Sequence, residues 1–362
     1  MANIPGSAVP GSAVPGPALH EKYDVALLDL DGVVYIGGAA IPGAPEALDE
    51  AKHRGMRLAY VTNNASRTPA AVAALLRHMR VPAQPDDVVT SAQAAARLLA
   101  EKLPPKAPVL VVGATALRLA VRERGLRPVS TAAERPLAVV QGYVPSLGYA
   151  SLAEGGLAVR AGALFVGTNA DSTIPGPRGI QPGNGSLLQV IAHATGTAPV
   201  IAGKPEPPLH RESVIRTGAK HPLVVGDRLD TDIEAACRAS TDSLLVLTGV
   251  SRPADLLLAP PGQRPTYVAL SLDALLEPYP EVVRTDDGFA CGGWTALRQP
   301  SGQLALKGTG APIDGLRALC PAAWHASDAA DAPDSTGSGS GTLTARHADA
   351  ALAELAAAGL PL

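Results

Sequence analysis

The sequence predicts an α/β protein: a doubly wound parallel-sheet core, an α/β cap domain inserted into it, and a small α+β C-terminal extension. Three observations carry this. From residue 23 onward, apolar runs of strand length alternate with segments of helical periodicity, as in parallel βαβ units. One interval between core-like strands, residues 65–203, far exceeds what a single crossover needs, so a second folding unit fits inside it. Beyond residue 281 the rhythm changes, and turn signals at Asp286-Asp287-Gly288 and Pro300-Ser301-Gly302 flank an apolar stretch as in a hairpin.

The elements follow in order. Residues 1–22 carry Gly-Ser-Ala-Val-Pro twice, and a segment spaced by Pro and Gly is expected to be a disordered tail. The core is expected over 23–84 and 198–280, the cap over 85–197, and the extension over 281–362 with a flexible Asp/Ser/Gly linker at 326–342. Residues 24–33 read as a buried strand that stops on Asp29, with Gly32 permitting a sharp turn. A helix over 44–54 closes on Gly55, and the next strand, 57–61, runs into Thr62-Asn63-Asn64. Thr68-Pro69 then opens a helix with Val72, Leu75, Leu76 and Met79 at helical spacing.

Within the cap, strands are expected at 109–112, 137–142 and 164–167, and helices at 117–124 and 185–194. The core resumes with a helix at 208–218 and a strand at 222–226 that runs into Asp227-Arg228-Leu229-Asp230-Thr231-Asp232-Ile233. A helix over 231–239 places Asp232 and Glu234 near its positive end. Strand 243–247 and the turn Thr248-Gly249-Val250 complete the core, and an alanine-rich helix spans 344–358.

Composition narrows the function classes. A hydrophobic fraction of 46% in 362 residues supports packed cores and excludes general disorder. With 30 basic and 33 acidic residues, net charge −3, there is no basic patch for nucleic acid or for an anionic membrane. No uninterrupted apolar stretch reaches membrane-spanning length, and no basic-then-apolar leader opens the chain. Three widely spaced cysteines, Cys237, Cys291 and Cys320, form no metal-ligand pattern and suit a reducing, cytoplasmic location. Cys237 reads as a small buried hydrophobe, and His53, His78 and His210 as solvated residues of surface helices.

The chemistry gathers at strand ends. Asp29 and Asp31 offer a nucleophile, a general acid/base and hard oxygen ligands for Mg²⁺. Thr62 and the backbone N–H groups after it make an anion-binding turn. Gly203-Lys204-Pro205 holds a lone lysine in a turn, and Asp227 and Asp232 follow a third buried strand. Acid, hydroxyl, lysine and acid, in that order, form a phosphate-plus-metal site in four parts. Oxygen-only ligands favour Mg²⁺ over Zn²⁺.

This set resembles the haloacid dehalogenase superfamily of phosphatases, and Gly226-Asp227-Arg228-Leu229-Asp230-Thr231-Asp232 is particularly similar to its para-nitrophenyl phosphatase-like branch. The resemblance covers residues 23 to 280 and implies a Rossmann-like core with a large α/β cap. It implies Asp29 as nucleophile and Asp31 as general acid/base, with Asp31 also a metal ligand through its carbonyl. Thr62, Asn63, Asn64 and Lys204 would bind the phosphoryl group, Asp29 and Asp227 would hold Mg²⁺, and Asp232 would orient that shell. In the cap, Thr168-Asn169-Ala170-Asp171 and Pro182-Gly183-Asn184-Gly185 resemble substrate-facing loops, which makes Asn169 and Asp171 substrate or cap-closure residues. Ala170 and Asn184 depart from the family pattern there.

The extension resembles the truncated acetyltransferase-like appendage of actinobacterial glycerol-3-phosphate phosphatases, although it has no acetyl-coenzyme A phosphate loop. A phosphomonoester hydrolase acting on glycerol 3-phosphate is therefore expected. A broad phosphatase for phosphoglycolate, nucleotides or pyridoxal phosphate is the near alternative, and a catalytically idle ligand-binding regulator the distant one. The expected partner is a small phosphate ester, with homo-oligomerisation left open.

Overall fold

The computed structural model describes residues 15–330 and 344–362, apart from Pro177 and Pro300. Its centre is a six-stranded parallel sheet. Across the sheet the strands run Val88–Thr90, Arg57–Thr62, Val25–Leu28, Pro222–Gly226, Ser243–Val246 and Tyr267–Ala269. That is third, second, first, fourth, fifth and sixth in chain order, so the winding direction reverses between Val25–Leu28 and Pro222–Gly226. Strands covered on both faces need apolar residues throughout, and 25–28 is buried at every position. Ala26 and Leu28 enter one apolar cluster with Leu58, Tyr60 and Leu223, while Val25 and Leu27 enter another with Ala59 and Val61.

A second parallel sheet, of five strands, builds the cap. Its order is Arg127–Val129, Pro108–Val112, Ala138–Gln141, Leu164–Gly167 and Val200–Ile201, or second, first, third, fourth and fifth within the cap. Leu110, Val112, Val139 and Phe165 face a cluster completed by Val159, Leu188 and Ile191. The opposite face, with Val109, Val111 and Val140, is continuous with one of the core's own clusters. Helix Ser91–Lys102, N-capped by the Thr90 hydroxyl, lies against both cap helix Thr115–Glu123 and core helix Pro207–Thr217. At that junction the buried Glu212 carboxylate accepts from Arg97, from Arg124 at 2.6 Å and from Arg216 at 2.7 Å. A buried carboxylate needs such partners, and here they come from both domains.

The extension is a four-stranded antiparallel sheet, Val283–Thr285, Gly288–Cys291, Trp294–Arg298 and Leu304–Gly308, against helices Pro312–Ala330 and Ala345–Ala357. It does not stand apart from the core. Trp294, Leu316 and Leu319 share one apolar cluster with Leu229, Ile233, Leu256 and Val268. Arg317 Nε donates to Val268 O at 2.9 Å, and Trp324 Nε1 donates to Leu256 O at 3.0 Å.

Several boundaries differ from the sequence expectation, each for a local reason. The expected disordered tail ends earlier: Pro15–Ala18 pairs with Pro278–Pro280, and helix Leu19–Lys22 buries Leu19 in the core. Residues 1–14 of that expectation lie outside the described residues. The cap expected from residue 85 starts later, because Val88–Thr90 pairs with Arg57–Thr62 in the core sheet. It also ends later, since Val200–Ile201 pairs with Leu164–Gly167. The apolar stretch at 289–297 is two strands, split at Gly292 and Gly293, whose φ of 52° and 87° suit glycine. The linker expected at 326–342 begins inside helix Pro312–Ala330, and its remainder, from 331, lies outside the described residues. His210 is half-buried rather than solvated, its Nε2 3.1 Å from Thr241 Oγ1, and burial lowers its pKa. Cys237 is only partly buried.

Candidate active site

In open parallel sheets ligands bind beyond the carboxyl ends of the strands, where the winding reverses. Asp29 follows strand Val25–Leu28 and Asp227 follows strand Pro222–Gly226, the two strands that flank the reversal. The Asp29 N–H donates to Val225 O at 2.8 Å and so holds the residue at the strand end. A π-helical turn, Leu229–Ile233, then brings Asp232 back toward the sheet. One oxygen from each of Asp29, Asp227 and Asp232 lies within 4.8 Å of the others.

Lys204 threads into this cluster. Its ammonium donates to Asp29, to Asp232 Oδ1 at 2.7 Å and to Val61 O at 3.3 Å, and the residue is 7% exposed. Burial pushes the lysine down, but Asp232 and Asp29 together carry it above its ordinary value. One cation does not balance three acids. Burial, with Asp232 and Asp227 adding repulsion, raises Asp29 well above the carboxylate range despite Lys204. Burial and Asp232 push Asp227 up to about 6. A further cation would relieve both.

Asp227 shows where it would sit. Its Oδ2 accepts from the Val250 N–H at 2.7 Å, while its Oδ1 is buried with no partner in the structure. The carboxylate lies in a cradle that admits no side chain. A Cβ at Gly249 would fall 1.9 Å from Asp227 Oδ2, and one at Gly32 2.3 Å. An orphaned carboxylate oxygen beside two further acids, all oxygen donors, fits a hard divalent cation. The acids whose oxygens the structure gathers at this point are Asp29, Asp227 and Asp232.

The structure brings most of the expected site residues together but gives several a different task. The Asp31 carboxylate is outside the three-acid cluster. It is open to solvent on one side, and Tyr35 Oη donates to its Oδ2 at 3.5 Å. The protein packed around it still raises its carboxyl above the usual value, against the pull of Tyr35 and of the Lys204 and Arg67 charges. Asp232, expected only to orient the metal shell, is itself in the cluster and also accepts from Arg228 N at 3.2 Å. Thr62 is buried, and its Oγ1 accepts from Asn64 N at 3.1 Å, which leaves the hydroxyl proton for another acceptor.

Asn63 and Asn64 turn inward. Asn64 Oδ1 closes a turn on Ser66 N and Oγ, both at 2.8 Å. Asn63 joins the domains: its Oδ1 accepts from Lys204 N at 2.8 Å, and its Nδ2 donates to both Asp171 oxygens and to Lys204 O at 3.3 Å. Asn169 Nδ2 donates to Asn63 O at 2.7 Å, and Asn184 Nδ2 to Asn169 O at 2.8 Å. Asn169 and Asn184 are 5% and 1% exposed, and their amide groups are spent on these bonds at the junction of cap and core. Asp171 stays partly exposed beside Asn63, its carboxyl raised by burial. Gly203 belongs to the same junction, since a Cβ there would lie 2.5 Å from Asn63 Oδ1.

Sequence reasoning missed Tyr35, Ser91, whose hydroxyl donates to Asn63 O at 2.6 Å, and the glycine cradle. Only the cradle left a signal, in the turn Thr248-Gly249-Val250.

A parallel α/β core with three clustered carboxylates and a buried lysine at its winding reversal defines a metal-assisted hydrolase. A haloacid dehalogenase-like hydrolase model matches residues 26–127, and a HAD-hydrolase-like model matches residues 201–275. The chain belongs to the haloacid dehalogenase-like hydrolases. A GCN5-related N-acetyltransferase-like model matches residues 291–360, which agrees with the expected appendage. Among relatives, the D-glycerol 3-phosphate phosphatase of Mycobacterium tuberculosis is 48% identical over 258 residues, covering 71% of this chain and 72% of that one. The 5'-nucleotidase YutF of Bacillus subtilis is 41% identical over 234 residues, 64% of this chain and 90% of its own. A solved glycerol phosphate phosphatase of M. tuberculosis with calcium superposes at TM-score 0.81 with 40% identity, over 94% of this chain and 98% of its own. With magnesium the match is 0.79 and 42%, over 85% and 92%.

Proposed function

We propose that this protein hydrolyses glycerol 3-phosphate through an aspartyl-phosphate on Asp29, with Mg²⁺ held by Asp29, Asp227 and the Asp31 carbonyl, and with Asp232 beside them. The observation that carries the site assignment is the buried, unpartnered Asp227 Oδ1 beside Asp29 and Lys204. The substrate is supported by the 48% identity to a D-glycerol 3-phosphate phosphatase, together with the acetyltransferase-like appendage.

When bound, Mg²⁺ supplies positive charge that lets an anionic carboxylate approach an anionic phosphate. A carboxylate oxygen of Asp29 attacks phosphorus as the bond to the glycerol oxygen breaks. Asp31, with its raised carboxyl, delivers a proton to that leaving oxygen. Asp31 then accepts a proton from water as water attacks phosphorus, which releases phosphate and restores Asp29. Lys204 and the Thr62 hydroxyl hold the phosphoryl oxygens through both steps. Thr62 is free to donate, and Lys204 is already fixed against Asp29 and Asp232. Asn63, Asn169 and Asn184 tie the cap to the core beside the site, and Asp171, partly exposed next to Asn63, is the cap group we assign to the leaving alcohol.

The partner is a small phosphate ester and not nucleic acid, in keeping with net charge −3. The proposal includes a cytoplasmic location, supported by three free cysteines, two of them buried. Among the described residues no helix is long and apolar enough to cross a membrane. A panel of phosphate monoesters assayed with Mg²⁺ and after chelation tests this reading. Glycerol 3-phosphate should give the highest kcat/KM and chelation should abolish turnover. A flat profile would replace the substrate assignment with the broad-specificity alternative.

A further inference from the structure

The cap is a doubly wound sheet in its own right, and its winding reverses between strands Pro108–Val112 and Ala138–Gln141. The general rule for such sheets puts a ligand crevice at that point, beyond the carboxyl ends of the strands. A cavity of about 490 Å³ lies there. It is lined by the end of the first strand with Gly113 and Thr115, by Ser146 and Ser151 from the segment after the third strand, and by Arg118 and Ser130. None of Asp29, Asp31, Thr62, Lys204, Asp171, Asp227 or Asp232 lines it.

Its chemistry is the reverse of the catalytic cluster. No carboxylate belongs to the lining. Arg118 crosses to the second strand, where its guanidinium donates to Val129 O at 3.2 Å and to Ser130 Oγ at 2.9 Å, both neutral. Among the described residues it forms no ion pair. Helices Thr115–Glu123 and Tyr149–Arg160 both start on the cavity wall, N-capped by Ala114 and Gly148 without a side-chain cap bond, so their first-turn N–H groups add to the positive field.

We propose that the cap carries a second ligand site in this cavity, for a small phosphorylated polyol or sugar, distinct from the site of hydrolysis. The Arg118 guanidinium and the helix starts receive the anionic group, and the serine and threonine hydroxyls receive the hydroxyls of the ligand. A volume of this size holds a sugar phosphate. The cavity also reaches the core at Ser66. Ser66 is bonded to Asn64 Oδ1, and Asn64 N to Thr62 Oγ1, so occupancy of the cap bears on the phosphate turn through three residues.

The test uses full-length Mg²⁺-loaded protein whose catalytic aspartate is blocked with beryllium fluoride, so that only a second site remains to be filled. Calorimetric titration with 3,4-dihydroxybutylphosphonate, a non-hydrolysable phosphate-ester mimic, should show one equivalent bound. Affinity should fall at least ~10-fold in Arg118→Ala, as expected for loss of a charge-assisted bond. Ser146→Asp should weaken it similarly by placing a negative charge in the cavity, and because Ser146 is exposed that variant keeps its fold. Turnover of para-nitrophenyl phosphate without the mimic should stay within about twofold of wild type in both variants. No binding to blocked wild-type protein up to ~5 mM, or equal binding in wild type and both variants, would overturn the proposal. Failure of beryllium fluoride to inhibit would count against Asp29 as nucleophile instead, and the comparison of unblocked wild type with the variants would then decide the cap site.

Discussion

Core and cap are built on the same plan and differ in what they place at the same point. Each is a parallel sheet whose winding reverses once. At the core's reversal stand Asp29 and Asp227, with Asp232 and Lys204 packed against them. At the cap's reversal stand Gly113, Arg118 and several hydroxyls, with no acid. The difference teaches that the topology supplies a crevice and a few strand-end residues decide its chemistry. A cluster of carboxylates that one lysine cannot neutralise calls for a metal. A lone arginine among neutral acceptors calls for an anion.

The largest expected break in this contrast comes from Asp29→Asn. It keeps the shape but removes the attacking charge, so steady-state kcat should fall at least ~10³-fold while the melting temperature changes little. More than a tenth of wild-type activity in pure protein would exclude covalent catalysis by Asp29.

Gly249→Ala sharpens the metal side without touching an acid. Its Cβ would fall 1.9 Å from Asp227 Oδ2, so the carboxylate must move. Mg²⁺ affinity, measured by calorimetry, should drop roughly 10–100-fold, the range for disturbing a group that supports a metal ligand. Affinity equal to wild type would show that the cradle does not set the Asp227 position.

The third expected effect is one of pH. Burial and Asp232 hold the Asp227 carboxyl up to about 6 in the metal-free protein. Protons and metal compete for that oxygen, so Mg²⁺ affinity should be full above about 7 and fall as pH drops through 6. A flat profile between pH 5 and pH 8 would place the metal away from Asp227.

The smallest effect concerns the junction of cap and core. Asn169→Ala removes the bond from the cap to Asn63 O and leaves that carbonyl with the Ser91 hydroxyl alone. It should lower kcat/KM by about tenfold, and to the same extent for glycerol 3-phosphate and for bulky esters, the mark of positioning rather than leaving-group contact. A loss confined to one substrate would return Asn169 to the substrate pocket.

Asp29, Lys204 and Asp227 were legible in the sequence because each follows an apolar run or stands alone in a turn, where local pattern is enough. The roles of Asn63, Asn169 and Asn184 were not. Each amide meets backbone or side chains far away in the chain, and asparagine next to a strand end looks like turn chemistry until the domains are placed together. The ordered segment from residue 15 was hidden by its Gly/Pro composition, although Leu19 anchors it. The extension showed its turns but not its attachment. Leu229 and Ile233, read as part of an acidic motif, are also where the extension packs against the core. Neither winding order could be read along the chain, because strand neighbours are set by packing across the sheet.

The central claim is that Asp29 becomes covalently phosphorylated. Rapid acid quench during turnover of glycerol 3-phosphate, followed by borohydride reduction and peptide mass spectrometry, reads it directly. The account predicts conversion of Asp29 to homoserine in wild-type protein with Mg²⁺, and none after chelation. Undiminished turnover with Asp29 unmodified, or the modification found at Asp31 or Asp227 instead, would contradict it.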